Sequence, residues 1–205
     1  MTSLHLARFK SRNPRKNLPL ASSRKRGESN FLRAFERAYV ERHCRSRKVS
    51  WQDFALAGYG IADLVMVGWK TSVRGARAFT VEQQRSRLRQ QRLTAFELKL
   101  NSWRKALMQA SRYRHFCDRS IVVLPAKFVA AASAHLDLFR SLNVGLWEFD
   151  AETGRISKKF TPRSSRALNV KAREKAISAI LARVQLCKAL KQVKPRGQFD
   201  KMFVV

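Results

Sequence analysis

The sequence predicts an α/β protein with a mixed central sheet flanked by helices, and three observations carry that prediction. Short apolar runs of strand length recur at 61–67, 95–100, 120–125 and 144–149. Stretches with apolar residues at helical spacing occupy 103–116, 128–142 and 171–191. From residue 95 onward the two kinds alternate, which implies a layered α/β arrangement with at least part of the sheet parallel.

Taken in order, residues 1–28 read as a basic arm, with Asn13-Pro14-Arg15-Lys16 and Ser22 to Gly27 and little periodic apolar content. A first helix is expected from Ser29 or Asn30, either of which can cap it. Phe31, Leu32, Phe35, Ala38 and Tyr39 form its apolar stripe, and Glu36 lies at the stripe's edge. A turn at Gly58 and Gly60 leads into a buried strand, Ile61 to Val67, interrupted by one charge, Asp63. Residues 68–94 hold six arginines and read as a basic insert, either a long hairpin excursion or a helix, projecting from the fold. Ala95 to Leu100 alternates with period two. Asn101 or Ser102 should cap the next helix, whose inner face carries Trp103, Ala106, Leu107, Ala110 and Cys117. Ser120 to Pro125 is a continuous apolar strand, 128–142 a helix, 144–149 a strand, and a short strand near 155–159 closes an edge. A final helix, 171–191, places Ala172, Ala176, Ile177, Ile180, Leu181 and Val184 inward and basic residues outward, before a loose tail after Pro195. The domain reading is therefore a core at 29–160, preceded by the arm and followed by a basic helix and tail at 161–205.

With 205 residues and 45% hydrophobic content, the chain suits one domain with a real core. Its unusual quantity is charge: 43 Lys and Arg against 14 Asp and Glu, a formal net of +29. Folding so much like charge into a small volume costs self-repulsion, which a polyanion relieves. Nucleic acid is the commonest such partner, because each neutralised phosphate releases condensed counterions. An anionic membrane surface and a ribosomal-type protein without an active centre are the rival readings. The three cysteines, Cys44, Cys117 and Cys187, lie far apart, match no zinc spacing, and are expected as reduced, mostly buried thiols. No apolar run reaches the roughly 18 residues of a membrane span. The first 27 residues contain no acid and no apolar signal core. The expected location is the cytoplasm or nucleoid, with organelle import through the basic N-terminal segment left open.

In a chain this poor in acids, their placement is informative. On the strand 95–100, Phe96, Leu98 and Leu100 point to one face while Glu97 and Lys99 emerge side by side from the other, roughly 7 Å apart along the chain. If the strand of Asp63 is a neighbour, Asp63 and Glu97 converge. Two carboxylates and a backbone carbonyl make an oxygen-rich site for a hard cation such as Mg²⁺ or Mn²⁺. Such an ion polarises a scissile phosphate, lowers the pKa of a bound water and neutralises developing charge. Lys99 beside it orients that water or stabilises the negative charge. Taken alone, Glu97 and Lys99 would be a solvated strand face; Asp63, flanked by apolar residues, is a charge that needs a partner.

Gly60-Ile61-Ala62-Asp63, then Glu97-Leu98-Lys99, then Gln109-Ala110-Ser111-Arg112-Tyr113 resembles the PD-(D/E)XK nuclease superfamily. The pattern is most similar to the RecB-like branch, whose motifs run GxxD, ExK and QxxxY. The resemblance spans roughly residues 30–150 and implies a restriction-endonuclease-like αβ core. It implies that Asp63 and Glu97 bind Mg²⁺ or Mn²⁺ with the Leu98 carbonyl, that Lys99 is catalytic, and that Gln109 and Tyr113 border the site. Glu36 is the natural candidate for an acid on the first helix. Thirty-three residues separate Asp63 from Glu97, a generous gap, and nothing matches the cysteine cluster of the iron–sulfur members. The expected activity is a metal-dependent nuclease on nucleic acid, DNA before RNA, and a homodimer is compatible with it. The alternative is a nucleic-acid-binding protein on the same fold that does not cut. Phosphate contacts are assigned to Arg74, Arg77, Arg85, Arg87, Arg89, Arg104, Arg112, Lys171, Arg173 and Lys175. Trp69, beside the insert, is the tryptophan placed to stack on bases.

Overall fold

Seven strands in sequential order, β1-β2-β3-β4-β5-β6-β7, form one mixed sheet with helices on both faces. The structure, a computed structural model, describes residues 7–10, 23–43, 48–68 and 80–193. Strand β1 (Ala7–Lys10) runs parallel to β2 (Lys48–Leu56), and β2, β3 (Gly60–Gly68) and β4 (Leu93–Leu98) form an antiparallel meander. Crossovers then lay β5 (Arg119–Leu124) parallel to β4 and β6 (Val144–Phe149) parallel to β5, while β7 (Ile156–Phe160) returns antiparallel. The α/β class and the mixed sheet expected from the sequence are both present.

Pleat alternation divides the core in two. On one face, Leu64, Met66, Phe96, Leu98, Ile121 and Val123 meet Phe31, Leu32, Phe35 and Ala38 of helix α1 (Ser23–His43). Aromatic rings fill this layer, with Phe35, Tyr39, Phe96 and Phe149 packed edge to face. On the other face, Val65, Val67, Leu93, Ala95 and Val122 meet α3 (Trp103–Tyr113) and α6 (Val170–Val193). Ala172, Ala176, Ile177, Ile180 and Leu181 of α6 are buried there as the periodicity predicts, while the side chain of Val184 lies outside the described residues.

Several boundaries differ from the sequence reading. Helix α1 starts at Ser23, inside the expected arm, because Arg and Lys are good helix formers and a single Gly27 costs only about 1 kcal/mol. Strand β2 was not expected; its Trp51, Phe54 and Leu56 feed the α3-side core, and it closes the hairpin at Gly58 (φ +86°) and Gly60 (φ +95°). The described part of the insert does not project. Thr80 and Gln83 form a capping box for α2 (Val81–Arg89), whose Leu88 is fully buried and which packs against α6. Residues 128–142 divide into α4 (Ala126–Ser133) and α5 (Leu136–Ser141), broken at Ala134 and His135. Ser102 is the N-cap of α3 by position, but at φ +55° its side chain makes no capping bond. Most of the arm, residues 69–79 with Trp69, Arg74 and Arg77, Cys44, and the tail after Pro195 lie outside the described residues. Among the described residues no helix is long and apolar enough to cross a membrane.

Candidate active site

The β3–β4 ladder ends at the pair Leu64↔Phe96, and one step further the same register sets Asp63 opposite Glu97. At that step the ladder gives way. The Leu98 N–H donates to the Asp63 carboxylate at 2.8 Å instead of to a backbone carbonyl. A strand residue's N–H and C=O leave the strand on the same side, so the Leu98 carbonyl is directed toward Asp63 as well. The next N–H, that of Lys99, turns the other way to the Val123 carbonyl.

Lys99 Nζ stands between the two acids, 2.7 Å from Glu97 Oε1 and 3.5 Å from Asp63 Oδ2. Glu97 is fully buried, and its Oε1 has no aligned hydrogen-bond donor, only this ion pair. Its Oε2 lies 2.6 Å from the Tyr113 hydroxyl, which is also 2.6 Å from the Ile61 carbonyl. One hydroxyl proton cannot serve two acceptors. Both contacts are satisfied together when Glu97 carries a proton and donates to the Tyr113 oxygen while Tyr113 donates to Ile61.

The electrostatics agree with that geometry. Burial, reinforced by the Asp63 charge, pushes the Glu97 carboxyl up to about 7, against the pull of Lys99 and Tyr113. Burial also raises Asp63, with the Asp53 charge adding to it and Lys99 and the Leu98 N–H opposing. For Lys99, burial favours the neutral amine, but Asp63 and Glu97 together outweigh it and the pKa is raised. The Tyr113 phenol is raised by burial and by Glu97. Lys99 is thus a fixed cation in this arrangement, placed to neutralise charge rather than to take up a proton.

The structure brings Asp63, Glu97, Lys99 and Tyr113 together and leaves Glu36 apart. Glu36 is buried on the α1 face, where it accepts from Ser50 Oγ and from Gln52 Nε2, the latter at 2.6 Å. Ser50 and Gln52 pair with Met66 and Leu64, whose side chains belong to the α1 layer. Glu97 follows Ala95 in alternation and belongs to the α3 side, where Tyr113 packs. The α1 acid whose charge acts on Lys99 is instead Glu28, eight positions earlier, which no sequence signal marked. Gln109 lies one turn before Tyr113 on α3, and its Oε1 is buried without a partner.

Asp53 was also missed, though a signal for it exists. Asp53 and Asp63 each lie five residues from Gly58, so a hairpin centred there sets them face to face, between the pairs Gln52↔Leu64 and Phe54↔Ala62. Asp53 is exposed and holds φ +51°. Four of the chain's 14 acids, Glu28, Asp53, Asp63 and Glu97, therefore act on this one region. Among the described residues no set of three or more His, Cys, Asp or Glu is arranged as a metal centre. A divalent cation here would rest on Asp63, Glu97 and the Leu98 carbonyl. That small oxygen set suits Mg²⁺, which keeps several waters, and the Glu97 Oε1 atom without an aligned donor fits it.

The assigned phosphate contacts fall into two groups. Arg89 holds Glu174 through two nitrogens at 2.8 and 2.9 Å, and Arg85 bonds Ser178 at 3.0 Å, so both tie α2 to α6. Arg173 pairs with Asp118 at 2.8 Å and donates to the Gln91 and Phe116 carbonyls. These three arginines thus join elements of the fold, through Glu174, Ser178, Asp118 and two backbone carbonyls. Arg87 is half-buried and also engaged within the fold. Arg104, which lies over the Trp103 ring, together with Arg112, Lys171 and Lys175, is exposed. Trp51, Trp103 and Trp147 are buried, as is the free thiol of Cys117, which burial pushes up to about 12.

Comparison of the chain with protein-family models, with curated proteins and with solved structures gave no match.

Proposed function

We propose that this protein is a nuclease that hydrolyses phosphodiester bonds in DNA with a Mg²⁺ or Mn²⁺ ion, on a restriction-endonuclease-like core. One observation carries the reading: Asp63, Glu97 and Lys99 converge where β3 and β4 part, beside a backbone carbonyl facing the same gap. A strand pair that stops hydrogen bonding at its two acids opens backbone and carboxylate oxygens to a ligand. The RecB-like motif order supports it, as does the tyrosine of the third motif on Glu97.

When bound, the ion supplies an activated water and charge neutralisation at the phosphate. Asp63 is oriented by the Leu98 N–H and so presents a fixed carboxylate edge. Glu97 is positioned by Tyr113, and its ionisation, resisted by burial, is favoured by a cation. Lys99 holds a positive charge beside both acids and stabilises negative charge that builds on the phosphate oxygens. Arg104, Arg112, Lys171 and Lys175 supply sequence-independent affinity.

A second reading, a nucleic-acid-binding protein that does not cut, is favoured by one observation. Lys99 Nζ already occupies Glu97 Oε1 at 2.7 Å, and no third ligating side chain is assembled among the described residues. Incubating the protein with linear, circular, single-stranded and branched DNA, and with RNA, in Mg²⁺, Mn²⁺ or EDTA decides between them. The nuclease reading predicts metal-dependent cleavage, lost in Asp63→Ala and Lys99→Ala with binding largely intact. Cleavage persisting in both variants would refute the site, and binding without cleavage in every metal would establish the second reading.

A further inference from the structure

The segment joining β7 to α6, residues 161–169, runs back over the end of α3. Ser165, Leu168 and Asn169 donate their N–H groups to the carbonyls of Asp118, Arg114 and His115 at 3.0–3.1 Å. Pro162 closes against Gly145, where a Cβ would meet its Cδ at 3.0 Å. Under this strap lies Arg114, only 5% exposed. A charge buried that deeply requires a counter-ion or a full set of hydrogen bonds.

Arg114 has neither. Its Nη2 donates to Ser165 Oγ at 2.6 Å, while Nη1 is buried with no partner. Among the described residues none of the carboxylates forms an ion pair with it. Ser165 Oγ also receives the Asn143 amide, at 3.5 Å, so its lone pairs are engaged and its own proton is left over as a further donor. Guanidinium and amide therefore converge on one hydroxyl, with the Arg114 Nη1 donor unmet beside it. Asn143 and Ser165 are half-exposed, which leaves a way in, and Arg163 and Arg166 flank Ser165 on the exposed strap.

We infer that Arg114, Ser165 and Asn143 form an anion pocket that takes one phosphate group, supplied by a nucleic-acid backbone, with Arg163 and Arg166 at its mouth. A tetrahedral, multiply accepting anion matches a donor cluster of this kind. The backbone source rests on the nucleic-acid reading above. The pocket lies at the strand ends opposite those that carry Glu97 and Lys99, roughly a strand length of 15–20 Å away. It therefore grips a phosphate several nucleotides from the bond that is cut.

The test is thermal unfolding in potassium phosphate against potassium chloride at matched ionic strength, with EDTA. Wild type should gain several degrees in phosphate. Ser165→Asp, which sets a carboxylate beside Arg114, should already be more stable in chloride and gain nothing further. Arg114→Gln should also lose the response; if it does not fold, Ser165→Asp decides. An equal phosphate gain in wild type and Ser165→Asp, or none in either, overturns the pocket. A second arm measures binding of a labelled DNA duplex over a range of chloride. The slope of log affinity against log salt should be shallower by at least about 0.9 in Ser165→Asp, the loss of one phosphate contact. An unchanged slope together with a lost phosphate response overturns the backbone source and leaves free phosphate as the ligand. Neither arm reads cleavage, so this pocket and the catalytic centre stand or fall separately.

Discussion

Replacing Glu97 by glutamine should stabilise the metal-free protein at alkaline pH and, on the proposed nuclease reading, abolish cleavage. Glu97 is fully buried and its carboxyl is raised from 4.5 to about 7. At about 1.4 kcal/mol per unit, ionising it in the folded state costs about 3 kcal/mol relative to the unfolded chain. Because the folded pKa lies above the unfolded one, the folded state binds the proton more tightly. The contribution is fully present below about pH 4.5 and is lost as pH rises through about 7. Asp63, shifted in the same direction, adds to the loss. Glutamine mimics the protonated acid: its amide can donate to the Tyr113 oxygen and free the Tyr113 proton for the Ile61 carbonyl. Denaturant unfolding of both proteins from pH 4.5 to 8.5, in EDTA at fixed ionic strength, should show the variant gaining up to about 3 kcal/mol on wild type across that range. The comparison cancels the titrating groups that do not interact with Glu97. Parallel curves would refute the reasoning, because they would mean that Glu97 is already ionised at acid pH.

Tyr113→Phe removes the donor to the Ile61 carbonyl and the acceptor of the Glu97 proton and should cost about 1–3 kcal/mol in metal-free denaturation at pH 5; an unchanged midpoint would contradict the shared-proton geometry. Arg173→Ala should destabilise by about 2–3 kcal/mol, since it leaves Asp118 with the Leu93 N–H but no cation and removes the donor to two carbonyls, yet leave DNA affinity near wild type in an anisotropy titration. Arg112→Ala together with Lys171→Ala should leave stability unaltered but flatten the salt dependence of duplex binding by about 1–2 units of slope. Asp53→Asn relieves the like charge facing Asp63 and should lower the Asp63 pKa, read by carboxylate NMR titration.

Much of this architecture was legible because strands and helices differ in period. The runs at 120–124 and 144–149 became β5 and β6, and Ala95 to Leu98 kept its two-residue alternation, so Glu97 was assigned its face correctly. Strand β2 was not legible. Its Gln52 and Asp53 interrupt the apolar pattern, one to hold Glu36 and the other at a left-handed φ. The same omission hid Asp53, since partners across a hairpin emerge only once both strands are known. Glu36 misled because an acid at the edge of an apolar stripe reads the same whether it faces a site or a buried pair of hydroxyl and amide groups on the neighbouring strand. Charge counting likewise could not separate Arg173, spent on Asp118 and two carbonyls, from Lys175, exposed at the surface. Burial of donors is a tertiary fact.

Mn²⁺ titration of the EDTA-stripped protein in the presence of a short DNA duplex, followed by electron paramagnetic resonance, addresses the centre most directly. Wild type should bind Mn²⁺ in a way that Asp63→Asn and Glu97→Gln each abolish, with duplex affinity retained. The same Mn²⁺ binding in wild type and both variants, or none in wild type at millimolar ion, would contradict the assignment of these two acids to a cation.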